Sequence, residues 1–258
     1  MRLNGAVVVV TGASSGIGEA TARAFSHEGA AVVLAARRLE RLEQLARRIE
    51  SRGGRALAVR CDVTDPDRVR QLPAVVEEAF GRCDVLVNNA GVPGGGRFDC
   101  LSMDDIERVV RVNLLGVLLC TSAFLPLMLR NHGGHIVNIA SVAGRYATPG
   151  AAVYSATKHG VVAFSEALYY ELEPEGILVT SVNPAFARTE GFRFDRMNPR
   201  FVMQPDRVAG AIVKVVRERR APEYSVPRWL GSFQLFRVLT PGLYRWGVRL
   251  ATPRIRKE

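Results

Sequence analysis

A chain of 258 residues, 48% of them hydrophobic, suffices for one large α/β domain or two small ones with an ample core. The four cysteines, Cys61, Cys83, Cys100 and Cys120, form no C-x-x-C and no Cys/His cluster, which argues against a disulfide framework or a structural metal and for a reducing, cytoplasmic compartment. The net charge of +10 ordinarily suggests nucleic acid or an anionic surface, but residues 217–258 hold ten Arg/Lys against three acids, so +7 sits in the last stretch and the body is almost neutral.

Met1–Gly5 leads directly into the strand-like Ala6–Val10, and no secretory leader is expected. Next comes Thr11-Gly12-Ala13-Ser14-Ser15-Gly16-Ile17-Gly18, opening a helix over Ile17–His27. Glycines between a strand and a helix let the backbone turn tightly and approach a pyrophosphate, whose charge meets the helix N-terminus. Gly12, Ser14, Ser15, Gly16, Ile17 and Gly18 are therefore candidate cofactor contacts. The second strand, Ala31–Ala35, runs into Ala36-Arg37-Arg38 where an NAD site usually carries an acid. Two arginines there suit a 2′-phosphate, so NADP is expected over NAD, although both would also serve as solvated residues before the charged helix Leu39–Ser51.

The third strand, Ala56–Val59, is followed by Asp62-Val63 and a helix over Pro66–Phe80. The fourth, Val85–Val87, ends in Asn88-Asn89-Ala90-Gly91, and one long helix is expected over Met103–Arg130. Its uncharged part, Val112–Leu129, is nearly span-length, but Asn113, Thr121, Ser122 and Pro126 favour a buried helix. Then come a strand His135–Ile139, a helix Val153–Glu173, a strand Leu178–Val182, a helix Pro205–Arg219 and a weaker strand Tyr224–Val226. Continuous apolar strands alternating with amphipathic helices predict a doubly wound parallel sheet, Rossmann-like and in three layers, with its ligand at the strands' carboxyl ends. A single domain over residues 1–226 is expected, followed by an arm over 227–258.

Ser141, Tyr154 and Lys158 carry the chemistry. Tyr154 and Lys158 lie four apart on one helix, so they share a face. A tyrosine has a pKa of about 10, and lowering it by ~3 units needs ~4 kcal/mol of preferential stabilisation of the phenolate, which a neighbouring ammonium supplies. A serine hydroxyl from a strand end would hold a carbonyl oxygen within reach.

With these residues the chain closely resembles the short-chain dehydrogenases/reductases, in their compact single-domain branch. The matching motifs are Thr11-Gly12-x-x-x-Gly16-x-Gly18, Asp62-Val63, Asn88-Asn89-Ala90-Gly91, Asn113, Ser141, Tyr154-x-x-x-Lys158 and Asn183-Pro184…Thr189, in the family's order over residues 5 to about 226. The resemblance implies that Tyr154 is the general acid and base, that Lys158 lowers its pKa and binds the nicotinamide ribose, and that Ser141 polarises the carbonyl. It implies that Asn113 holds a water that refills the proton. Asp62 and Val63 would border adenine, with Asn89, Ala90 and Gly91 along the adenosine side, while Asn88 would tie the central strands together. Pro184 and Thr189 would lie near the cofactor's carboxamide or phosphates. One departure is Ala185 where the family usually has glycine, which would strain the turn only if a positive φ is needed. Homodimers or homotetramers are also implied, through the helices Met103–Arg130 and Val153–Glu173.

The segment 185–204 holds Phe186, Phe192, Phe194, Met197, Phe201 and Met203 without period, which suits a hydrophobic carbonyl or alcohol substrate or a loop packed on itself. The arm carries both tryptophans, Trp229 and Trp246, with Phe233, Phe236 and interspersed arginines. That composition fits a helix at a membrane interface, and equally an arm on a partner subunit or over the cleft. Interspersed aromatics argue against nucleic acid. A catalytically silent NADP-sensing protein is the alternative; such proteins typically lose the tyrosine or lysine that this chain keeps.

Overall fold

The computed structural model describes residues 1–147, 149–190 and 202–251, with residues 250 and 251 by backbone only. Seven parallel strands, β1 (Val7–Thr11), β2 (Ala31–Ala36), β3 (Arg55–Arg60), β4 (Val85–Asn88), β5 (Gly134–Ile139), β6 (Ile177–Pro184) and β7 (Glu223–Val226), form one sheet in the order β3-β2-β1-β4-β5-β6-β7. Strand order reverses between β1 and β4, which opens the crevice where ligands bind in such sheets.

Alternate residues of each strand feed opposite cores. Val8, Val10, Val32 and Leu34 pack with Phe25 of α1 (Gly16–His27), Leu42 and Leu45 of α2 (Leu39–Glu50) and Ile212 and Val216 of α7 (Pro205–Arg217). Val7, Val9 and Val33 face the other way, onto Val69 and Leu72 of α3 (Pro66–Phe80), Phe124 and Met128 of α5 (Gly116–Arg130) and Leu172 of α6 (Ala152–Leu172). Covering both faces of the sheet favours apolar residues along β1 and β2, where every position is buried and only Thr11 is polar. β3 departs from this because it is the sheet edge, and Arg55 and Arg60 at its ends are exposed.

The long helix expected over Met103–Arg130 is interrupted. α4 (Met103–Val110) passes into a π-helical turn over Arg111–Leu115 before α5 begins. The extra residue in that turn carries Asn113 inward, where it is fully buried and both accepts from the Val92 N–H (2.7 Å) and donates to the Val92 carbonyl (2.9 Å). α5 is apolar because Cys120, Phe124, Leu127 and Met128 lie in the core. Beyond β7, α8 (Trp229–Leu239) and α9 (Pro241–Ala251) form the arm.

Candidate active site

A cleft of about 590 Å³ opens at the carboxyl ends of the strands. Gly12, Ser14, Ser15, Gly16, Ile17, Arg37, Arg38, Asp62, Val63, Asn89, Ala90, Gly91, Ser141, Tyr154, Lys158, Pro184 and Thr189 all line it, so segments far apart in sequence meet on one wall. Gly18 and Asn113 stand behind the lining. At Gly18 a Cβ would come within 2.4 Å of the Gly12 carbonyl oxygen, so the start of α1 presses directly on the turn. Gly12 has φ +66° and turns the chain beneath the Ala90 backbone.

Thr11 and Asn89 hold that turn in place. Thr11 Oγ1 accepts from the backbone N–H groups of Asn89 (3.0 Å) and Ala90 (3.1 Å). The Asn89 amide donates back to the carbonyls of Thr11 (2.9 Å) and Gly12 (3.3 Å). The Asn89 side chain thus braces the loop while the residue lines the cleft. Thr11 belongs to the motif, but nothing in the sequence shows that its hydroxyl does this work. Asp62 Oδ1 accepts from the Thr64 N–H (3.0 Å) and hydroxyl (2.8 Å), which shapes the loop after β3. Asn88 donates to Asn138 (2.8 Å) and Thr121 (2.9 Å) and ties β4 to β5 and α5.

The two arginines after β2 part company. Arg37 is exposed at the cleft rim. Arg38 bends over the glycine turn and donates to Ser14 Oγ (2.9 Å) and Ser15 Oγ (2.8 Å), with Glu190 at 2.9 Å. Arg41 reaches the same carboxylate at 2.6 Å, and the hydrogen bonds from Arg38 and then Arg41 hold Glu190 below the usual carboxylate range. Sequence reasoning misses Glu190 and Arg41, because nothing local links residues that meet only across the cleft.

At the chemical end, β5 delivers Ser141 to a short turn in which its hydroxyl accepts from the Ala143 N–H (3.1 Å). Gly144 lets this turn lie against α6, where a Cβ would be 2.6 Å from the Lys158 carbonyl oxygen. Tyr154 hydrogen-bonds Ser141. Lys158 is buried and donates from Nζ to the Ile139 carbonyl at 2.7 Å, with Nζ 5.7 Å from the centre of the Tyr154 ring.

The expected lowering of the tyrosine pKa is overturned here. Burial pushes the Tyr154 phenol up to about 12, and the Ser141 hydrogen bond only partly offsets it. Burial pushes Lys158 down to about 8. The reason is desolvation, which penalises the charged form of each group. Lys158 directs its ammonium to the end of β5 instead of the phenol oxygen. Asn113 accepts one hydrogen bond from Val92 and donates another to it, so its side chain sets the loop after β4.

Ala185 raises no strain. Among the described residues the non-glycine positions with positive φ are His132 and Arg219. Of the apolar loop, Phe186 is exposed and lines the cleft, whereas Met203 is buried in the core and bridges to Ala187. Phe192, Phe194, Met197 and Phe201 lie outside the described residues.

The short chain dehydrogenase family model matches residues 6–198, the stretch that builds this cleft. The chain belongs to the short-chain dehydrogenase/reductase family. It is 39% identical over 220 residues to a 3-oxoacyl-[acyl-carrier-protein] reductase of Synechocystis, covering 81% of this chain and 88% of that protein. A short-chain dehydrogenase/reductase of Burkholderia phymatum, solved with NAD, superposes with TM-score 0.85 at 31% identity over 95% of this chain and 96% of that one. A single-substitution variant of the actinorhodin polyketide ketoreductase, solved with NADPH, superposes with TM-score 0.80 at 35% identity over 90% of this chain and 98% of that one.

As a short-chain dehydrogenase/reductase the chain calls for a dinucleotide, and the cleft suits one. Thr189 Oγ1 is buried beside Gly16 with no hydrogen-bond partner among the described residues, at the N-terminus of α1 where a phosphate oxygen would satisfy it. Arg38, on the same rim, pairs with Glu190, and Arg41 holds the same carboxylate from behind.

Proposed function

We propose that this short-chain dehydrogenase/reductase transfers hydride between NADP(H) and a carbonyl or alcohol on a hydrophobic small molecule, in the cytoplasm, with Tyr154 as acid and base. The observation that carries this reading is the contact of Tyr154 with Ser141 on the cleft wall, with Lys158 buried behind them. Bound there, the dinucleotide would supply or accept the hydride. Gly12 through Ile17 and Thr189 would hold its phosphates, and Arg38 with Arg41 would hold a 2′-phosphate.

The phenol, protonated at neutral pH because its pKa lies near 12, is the proton donor to a carbonyl oxygen held against Ser141. As the proton passes to the substrate oxygen, the Tyr154 oxygen is left as an anion in a site of low dielectric, and the Ser141 hydroxyl is placed to donate to it. Lys158, buried with its Nζ 5.7 Å from the Tyr154 ring centre, then supplies a nearby positive charge. Phe186 at the mouth and the apolar segment after it support an apolar substrate. Oxidation of NADPH against a panel of apolar ketones and aldehydes tests the reading, with NADH as the control. Turnover of none of them, or faster turnover with NADH, overturns it.

A further inference from the structure

The arm turns one side to the body and the opposite side outward. Tyr146 Oη donates to the Leu230 carbonyl at 2.6 Å, and its ring lies 5.8 Å from Phe233 and 6.3 Å from Tyr244. Arg237 donates to the Arg145 carbonyl. These contacts use one stripe of α8 and the first turns of α9. On the other stripe Leu235, Val238, Leu239, Leu243 and Trp246 are between 59% and 72% exposed. Trp229, at the start of α8, is 65% exposed.

The charged residues on the two helices themselves are all arginines. From Tyr224 to Lys257 the sequence holds six arginines and one lysine and no Asp or Glu. Arg228, Arg245 and Arg249 are exposed on the same two helices and the residue before them. A second copy apposed on this face would set arginines against arginines with no acid to pair them, which is unfavourable. A nucleic acid would meet the arginines but leave the leucines and tryptophan in water. An anionic bilayer satisfies both, with apolar side chains below the headgroups and guanidinium groups among the phosphates.

We propose that α8 and α9 dock the protein on an anionic lipid surface. The hairpin is fixed to Arg145 and Tyr146, directly after the turn that starts at Ser141. The arm is therefore anchored a few residues from Ser141, which lines the cleft. This inference is independent of which cofactor is used.

Co-sedimentation of the full chain with phosphatidylglycerol/phosphatidylcholine vesicles tests it, with pure phosphatidylcholine as the control. The protein should pellet with the anionic vesicles and release as salt rises, because headgroup attraction is screened. Trp229 and Trp246 are the chain's two tryptophans, so emission should shift to the blue on binding. Combined Leu239→Glu and Trp246→Glu should weaken binding at least ~tenfold while leaving cofactor affinity unchanged. Absence of both pelleting and blue shift with the wild type overturns the proposal, and so does equal vesicle binding by the variant. Should the wild type ignore vesicles but self-associate in a way the double substitution abolishes, the face belongs to a second copy and the proposal fails. The wild-type emission and lipid dependence decide even if the variant does not fold.

Discussion

Tyr154 and Glu190 each hold a proton state that the neighbouring residues impose. Removal of the Tyr154 hydroxyl takes away the proton donor and its hydrogen bond to Ser141 and leaves the glycine turn and the sheet untouched. Tyr154→Phe should therefore lower the reduction rate by at least ~10²-fold, the lower range for general acid catalysis, with dinucleotide binding retained. Steady-state kinetics beside a calorimetric cofactor titration measure both quantities, and a variant with more than half the wild-type turnover would refute the assignment. Glu190 acts at the other end of the cleft. Its carboxylate is ionised and already sits on Arg38 and Arg41, the groups that would receive a 2′-phosphate. Glu190→Gln removes a competing anion. An exposed ion pair is worth up to about 1 kcal/mol, so NADP⁺ should bind roughly two- to fivefold tighter, with NAD⁺ little changed. Tightening of both cofactors alike would show that the carboxylate does not occupy that site.

Among the elements, β5 carries the most consequence. It ends just before Ser141, offers the Ile139 carbonyl to Lys158, and buries His135 near its start. His135 shares a hydrogen bond of 2.7 Å with Thr180 across to β6, and burial, then Arg219 and the N-terminal amine, push its pKa down to about 3. The folded chain thus keeps this imidazole neutral while the unfolded chain protonates it below about 6.5. Stability from this residue is present above that pH and is lost as pH falls toward 3. At pH 5 the loss is on the order of 2 kcal/mol. Urea unfolding at pH 7.5 and pH 5 should show His135→Gln losing less stability between the two than the wild type does. Equal losses would mean that His135 is not the titrating group. The π-helical turn before α5 belongs to the same scale, since it places Asn113 where it can hold Val92.

For the whole molecule, most of the exposed large apolar side chains among the described residues fall in two stretches of sequence. One is the arm. The other comprises Met103, Val110, Leu115 and Leu129 on α4, the π turn and α5, with Tyr170 on α6. Pairing of two copies through these helices is the expectation that the mass of the particle in solution tests. Light scattering at micromolar concentration should give a multiple of 28.2 kDa, two or four chains, and a single-chain mass would count against pairing through these helices. The charge is divided along the same line. Seven of the ten net positive charges fall in residues 217–258, so the field of the molecule is concentrated at the arm.

Sequence alone determined the order of elements, the parallel sheet and the residues of the cleft, because period, glycine spacing and the Tyr-x-x-x-Lys pair are local patterns. The apolar runs of β1 and β2 required two covered faces, and the glycines after β1 required a tight turn against a helix start. Tertiary structure decided the rest. The break at Arg111–Leu115 follows from a side chain seeking Val92, a partner about twenty residues away that helical period cannot register. Asn89 braces the turn because Thr11 stands opposite. Glu190 closes on Arg38 and Arg41 only because the segments leaving β2 and β6 meet across the cleft. The tyrosine and lysine are four apart in the chain, but burial sets their protonation, and burial is a property of everything packed around them.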